Sequence, residues 1–216
     1  MRGDSQVEPA GQDLQVNKSI VEFSTLARHY AQASDEFLQS YFILGLNGVR
    51  LHARYFVMAH CMELAFKASL ANRSVPIRYN THDLEFLEGE LRRQGNTDLK
   101  ALRPNVHARE VFARMFNRSV SNFIMQDWLD HREALELLLC YEHAADLKYG
   151  VDRDGQHILA VTPSSMIMNM TFLSVVADVR RHFPNRGAEG RALVAFLEDI
   201  EVQFPSEFAG ASAPFQ

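Results

Sequence analysis

Cysteine is nearly missing from this sequence, with only Cys61 and Cys140 in 216 residues. Both sit in apolar segments, where a thiol behaves as a small buried hydrophobe. A disulfide framework is therefore excluded, and a cytoplasmic setting that keeps thiols reduced is the expected compartment. Long hydrophobic runs are also missing. The most apolar short run, Tyr41 to Leu46, falls far below the roughly 20 residues needed to cross a bilayer, so no membrane partner is expected. Met1 to Asp13 carries Asp4, Glu8, Pro9 and Gly11 in place of the apolar core of a secretory signal. It reads as a flexible leader over residues 1–16. The tripeptide Arg2-Gly3-Asp4 matches a cell-adhesion signal, but so short a match arises often by chance.

Other absences narrow the chemistry. The 11 glycines include no cluster ahead of a helix, which excludes phosphate-cradling loops of the Walker and dinucleotide types. No Gly-x-Ser-x-Gly elbow is present for a Ser-His-Asp hydrolase. Nine histidines invite a metal reading, and Glu136, Cys140 and His143 share a helical face. Yet neither a His-Glu-x-x-His motif nor a second ligand set accompanies them, so no metal and no cofactor are expected. Basic residues are not in excess: 22 Lys and Arg stand against 27 Asp and Glu, a formal charge of -5. A chain with that balance has no general attraction for phosphate backbones, and any nucleic-acid contact must be local.

Helical periodicity is what remains, and there is much of it. A chain with 47% hydrophobic residues encloses one sizeable core, and a domain near this length buries roughly 70% of its unfolded surface. One domain over residues 17–205, followed by a flexible tail over 206–216, is expected, with no internal repeat or long linker. From Ile20 to about Leu44, Phe23, Leu26, Ala27, Tyr30, Ala33, Phe37 and Tyr41 recur at helical spacing. Asn47-Gly48 breaks that helix. Val49 to Ala71 is apolar on almost every side, the mark of a central buried helix. Asn72 to Thr81 reads as a loop, and Thr81 or Asp83 can cap the helix that runs on to about Gln94.

After the Gly95-Asn96 stop, Arg103-Pro104 opens a helix with Ala108, Val111, Phe112 and Met115 on its apolar face. Trp128 to about Leu147 forms another. Asp154-Gly155 between two β-prone stretches predicts a small hairpin near residues 148–161. Pro163 starts a long apolar helix through Val179, and Ala192 to Val202 makes a last short one. The fold class is thus all-α, an up-and-down bundle with one small hairpin and extra C-terminal helices.

On the central helix His60, Glu63 and Lys67 follow at spacings of three and four, one stripe along an apolar cylinder. Glu63 and Lys67 are placed to pair. A buried ion pair costs about 3 to 5 kcal/mol when one partner is removed, so neighbours must satisfy this one. The string from Tyr55 to Leu70, with His60, Glu63, Leu64, Lys67, Ala68 and Leu70, followed by Thr81-His82-Asp83-Leu84 and Leu87, resembles the signature of the HEPN family. The resemblance covers about Ile20 to Leu91. It implies an up-and-down bundle that often forms a homodimer, and RNA- or nucleotide-related work in stress, toxin-antitoxin or phage-defence systems. Catalytic members of that family carry an Arg, four to six residues and then a His. Here Arg78 and His82 are separated by three residues, so the nuclease motif is degenerate.

Metal-independent RNA cleavage needs a base for the 2′-hydroxyl and a cation near phosphorus. His82 with Arg78 is the candidate pair; the alternative is that His82 and Asp83 cap a helix and join a structural network with His60, Glu63 and Lys67. A second feature is the basic segment from Arg92 to Arg118. Arg103, Arg109, Arg114 and Arg118 there are either phosphate contacts or the solvated face of an amphipathic helix. Three functions stay open: an RNA- or nucleotide-binding bundle without nuclease competence, an active ribonuclease, and a module whose partner is another protein.

Overall fold

The computed structural model describes residues 11–49, 51–77, 81–95, 99, 106–116, 134–136, 138–139, 165–184 and 189–205. These are almost entirely helical, with no strand among the described residues. Among the described residues, the helices with defined bounds are, in order, α1 (Gly11–Leu46), α2 (Leu51–Asn72), α3 (Leu84–Arg93), α4 (Val106–Phe116), α5 (Ser165–Val179) and α6 (Glu189–Gln203), with a 3-10 turn, Arg180–His182, closing α5. The expected hairpin at 148–161 lies outside the described residues. So does Cys140. From the expected helix at 128–147, residues 134–136 and 138–139 are helical, and Ala134, Leu135, Leu138 and Leu139 are buried.

The first helix starts at Gly11, earlier than the apolar periodicity from Ile20 suggested. Nothing in the sequence between Gly11 and Ile20 breaks a helix. The other end is fixed by backbone geometry. Val49 N donates to Leu44 O at 3.0 Å and Gly48 N to Gly45 O at 3.2 Å, the double bond of a Schellman cap. Gly48 takes φ 65° there. The end of α2 repeats the cap, with Val75 N on Leu70 O at 3.0 Å and Ser74 N on Ala71 O at 2.9 Å. Its left-handed position is filled by Ser74 at φ 58°, where a Cβ costs free energy that glycine avoids.

α1 and α2 form an antiparallel hairpin, and the residue pairs show its register. Phe37 meets His60, Ser34 meets Cys61, and Tyr30 meets Lys67. α2 packs on α1, α3 and α5, while α5 packs on α2, α4 and α6. Both α2 and α5 are apolar around most of their circumference, which explains why they occupy the interior. Residues 167–180 are buried without a gap. The amphipathic α4 turns Ala108, Val111, Phe112 and Met115 inward, the face its sequence predicted.

Polar groups inside this core are tied to specific partners. Asn169 on α5 accepts from Tyr41 Oη at 2.6 Å and from Arg54 at 3.2 Å, joining α1, α2 and α5. Burial raises the Tyr41 and Tyr55 phenols above their ordinary range and lowers the Arg54 guanidinium. Ser34 Oγ donates to Cys61 O at 3.1 Å. The Cys61 thiol is pushed up to about 12, by burial above all, against the lowering effect of the Ser34 hydrogen bond. Arg180, with a fully buried side chain, pairs with Asp35 of α1. Its guanidinium carbon lies 5.4 Å from the Phe183 ring centroid and 5.3 Å from that of Phe196. One side chain therefore pins α1, the turn after α5 and α6 to each other.

Two stability changes follow. Asp35→Ala leaves the buried Arg180 guanidinium without its carboxylate and should lower the unfolding free energy by about 3 kcal/mol or more, read from urea denaturation. Ser74→Gly removes the left-handed penalty and should raise it by about 1 kcal/mol in the same experiment.

Candidate functional site

Glu63 is the centre of the site. It lies in the middle of α2, 4% exposed, beside Lys67 at 3%. One helical turn separates the two, which brings Lys67 Nζ to 2.7 Å from Glu63 Oε1. Lys67 also sits 5.9 Å from the centroid of the Tyr30 ring, contributed by α1. The same Oε1 is 3.1 Å from His82 Nδ1. His82 immediately precedes the cap of α3, so the start of that helix is fastened to the centre of α2. Its side chain is nevertheless 60% exposed, which makes it the rim of the site rather than its floor.

His60 approaches from the other side. Its Nδ1 is 3.6 Å from Glu63 Oε2, longer than a hydrogen bond, and that oxygen is buried with no hydrogen-bond partner. The ring is held between two aromatics: Phe56, edge-on at 4.4 Å and 85°, and Phe37 of α1 at 5.3 Å. Phe56 is 41% exposed. Phe56, His60, Glu63 and Lys67 thus form a single stripe on α2 that begins at the surface and ends in the interior.

The electrostatics follow from this arrangement. Burial by itself pushes the Glu63 carboxyl up, but the polar contact with His60, the hydrogen bond and charge of Lys67, and the charge of a protonated His82 together outweigh it and bring the group down to about 2. Glu63 is therefore an anion at every ordinary pH. An anionic carboxylate facing Nδ1 of an imidazole selects the tautomer with hydrogen on Nδ1. The lone pair of a neutral His82 is then on Nε2, the nitrogen across the ring from Glu63. Such a ring accepts a proton or a hydroxyl hydrogen bond at Nε2 and, once protonated, donates from it.

His60, Glu63, Lys67 and His82 are thus brought together, whereas Asp83 is turned to another task. Its carboxylate accepts from Phe86 N at 2.8 Å, capping α3. Arg78 lies outside the described residues. Of the basic segment, Arg103 and Arg118 lie outside them as well, and for Arg109 only its place on α4 is described. Arg114 is bound to α6, 2.5 Å from Glu201 and 3.5 Å from Glu198. It ties α4 to α6.

Tyr30, Phe37 and Phe56 did not figure among the sequence candidates for this site. A signal for two of them exists: Tyr30 and Phe37 are seven apart on α1, matching the seven between His60 and Lys67 on α2, as an antiparallel helix pair requires. Among the described residues, no group of three or more His, Cys, Asp or Glu side chains is arranged to hold a metal ion. No helix there is long and apolar enough to cross a membrane. Comparison with known proteins gives no match: no family model, no curated protein and no solved structure is similar to this chain.

The pH dependence of stability has a definite sign. A carboxyl whose folded value lies below its unfolded one stabilises the fold above the unfolded value, and that contribution is lost as pH falls from 4.5 through about 2. With allowance for solvent screening on the His82 side, it is on the order of 2 kcal/mol. Glu63→Gln should flatten this acid limb of the stability curve. At pH 7 it should cost about 3 kcal/mol, because Lys67 is left buried beside a neutral group. Urea denaturation of both proteins from pH 2 to 7 measures both effects.

Proposed function

We propose that the chain is a HEPN-like helical bundle that binds RNA or a nucleotide without normal nuclease turnover, as a cytoplasmic component of a stress, toxin-antitoxin or phage-defence system, and that it works as a homodimer. The observation that carries this reading is the hydrogen bond from the imidazole of His82, at the rim, to the buried Glu63. It joins the two halves of the HEPN-like sequence pattern, the His-x-x-Glu-Leu-x-x-Lys helix and the His-Asp-Leu helix start, in one site. An oriented imidazole at the surface suits contact with a phosphate or a ribose hydroxyl. The three-residue gap between Arg78 and His82, shorter than in catalytic members of that family, favours binding over cleavage.

A second reading, an active metal-independent ribonuclease using His82 and Arg78, is favoured by the same carboxylate–imidazole hydrogen bond. A base held in one tautomer is what abstraction of a 2′-hydroxyl proton needs. In the third, a protein-interaction module, the site is purely structural.

Fluorescence anisotropy with a labelled single-stranded RNA separates the three. The expected result is binding that weakens steeply with added salt, RNA that stays intact on long incubation, and a loss of about tenfold in affinity for His82→Ala, the size of one charge-assisted hydrogen bond. RNA cleavage that His82→Ala abolishes would establish the ribonuclease. Neither binding nor cleavage would leave the interaction module.

A further inference from the structure

We infer that the outward face of α3 is a contact between two copies of this chain, crossed antiparallel over Gly89, with Phe86 beside the crossing and Glu85 of each copy against Arg92 and Arg93 of the other. The inference rests on the homodimer in the reading above and deepens it by naming the surface.

α3 is covered on one side. Its inner face is Leu84, Leu87, Glu88 and Leu91, all buried, and it packs on α2. At about 100° per residue, the opposite face is centred on Gly89, with Glu85 and Arg92 toward one side and Phe86 and Arg93 toward the other. Phe86 is 46% exposed, the most of any phenylalanine among the described residues. The cap at Asp83 uses only the backbone N–H of residue 86, so the start of the helix does not call for a ring there.

Gly89 is equally unexplained by the fold of one chain. A glycine in the middle of a helix weakens it relative to alanine. The glycines that take positive φ among the described residues are Gly48 and Gly95, so no left-handed turn requires Gly89. Close packing does not require it either. A Cβ at residue 89 would meet, outside its own turn of helix, only the far end of the Arg93 side chain, at 3.9 Å, an ordinary van der Waals distance. What a bare position at the centre of an uncovered helix face does provide is room for a second backbone to come close.

Charge says whose backbone that is. Glu85 lies in the first turn of α3, and Arg92 and Arg93 in the last. Two copies of this helix crossed antiparallel about Gly89 bring residue 85 of each opposite residue 93 of the other, and residue 86 opposite residue 92. Every carboxylate then meets guanidinium groups, and each Phe86 ring meets an Arg92, a favourable cation–π pairing. A twofold axis makes each of these contacts twice, which is the self-complementarity a homodimer needs. Glu85 and Arg92 form no ion pair within the fold among the described residues. Arg93 reaches Glu90 at 2.7 Å but is 65% exposed, and a surface pair of that kind exchanges for another carboxylate at little cost. Ten residues of helix make a contact at the small end of specific interfaces, so the dimer forms in the micromolar range or above.

Sedimentation velocity of the full chain over a concentration series is the test, and the wild type is expected to show a monomer–dimer equilibrium. Gly89→Gln supplies a better helix former and places a side chain in the crossing. It is expected to weaken dimerisation about tenfold or more while raising the Tm of the monomer by about 1 to 2 °C, so a loss of association cannot be put down to misfolding. Phe86→Ala should weaken it by about the same factor. Glu85→Arg sets arginine against arginine, and Arg92→Glu combined with Arg93→Glu sets glutamate against glutamate; each protein alone is expected to associate about tenfold more weakly. An equimolar mixture of the two should recover a dimer of about wild-type strength, because every pair across the contact is again opposite in sign. A role for these charges within one chain gives no such recovery.

A wild-type dimer that neither Gly89→Gln nor the charge variants weaken would overturn the α3 contact and leave the homodimer reading standing. Charge variants that dissociate but do not recover on mixing would rule out the antiparallel pairing. A wild type that stays monomeric throughout the series would sink both.

Discussion

A charged pair, Glu63 with Lys67, sits inside a helix that is otherwise wrapped in apolar side chains, and the surrounding structure is arranged to make that tolerable. Taking two ions out of water costs several kcal/mol each unless geometry and further hydrogen bonds compensate. Here the compensation comes from three elements. α2 supplies both ions one turn apart, α1 lays the Tyr30 ring near the ammonium, and the residue that leads into α3 brings an imidazole to the carboxylate. None of these groups can slide by a residue without stranding a charge, so the pair fixes how α1 and α3 seat on α2. Apolar packing alone does not do this, since one apolar stripe resembles the next when shifted by a turn.

The opposite end of the core uses a single charge instead. Arg180 is surrounded by rings and answered by one carboxylate, Asp35, 145 residues away in sequence. Two of its nitrogens, Nε and one terminal nitrogen, lack hydrogen-bond partners. That is a costlier arrangement than the Glu63 network, in which Oε1 is doubly answered. The difference matches the positions of the two. Arg180 lies where α5 ends, among three elements. Glu63 has Lys67 on its own helix and a loop that delivers His82.

This contrast explains what was legible in the sequence. His60, Glu63 and Lys67 could be grouped because spacing along one helix fixes their common face, and His82 because it begins the next helix after a short loop. The ends of α1 and α3 were legible from Asn47-Gly48 and Gly95, since a left-handed cap leaves a residue signature. The end of α2 was read to within one residue, from the polar run that starts at Asn72, although Ser74 fills a place where glycine is the usual signal. The start of α1 at Gly11 was missed because apolar periodicity marks the buried part of a helix, not its full length. The Arg180–Asp35 pair was invisible, as no local spacing links residues on helices that meet only in the folded core. Arg114 was read from its own helix alone, and the carboxylates that hold it come from α6, which no pattern within Arg92 to Arg118 could show.

The placement of charge bears on how an acidic chain could recognise a polyanion at all. With a formal charge of -5, the protein as a whole does not draw phosphate from a distance, and arginines held by carboxylates within the fold contribute little to any such field. Recognition under these conditions has to come from short-range, directional groups. An imidazole oriented by a carboxylate, as His82 is by Glu63, is a directional group of that kind. The buried Glu63–Lys67 pair holds such rings in place while remaining neutral itself. The constraint that sets the register of the helices is therefore the same one that aims the imidazole at the surface.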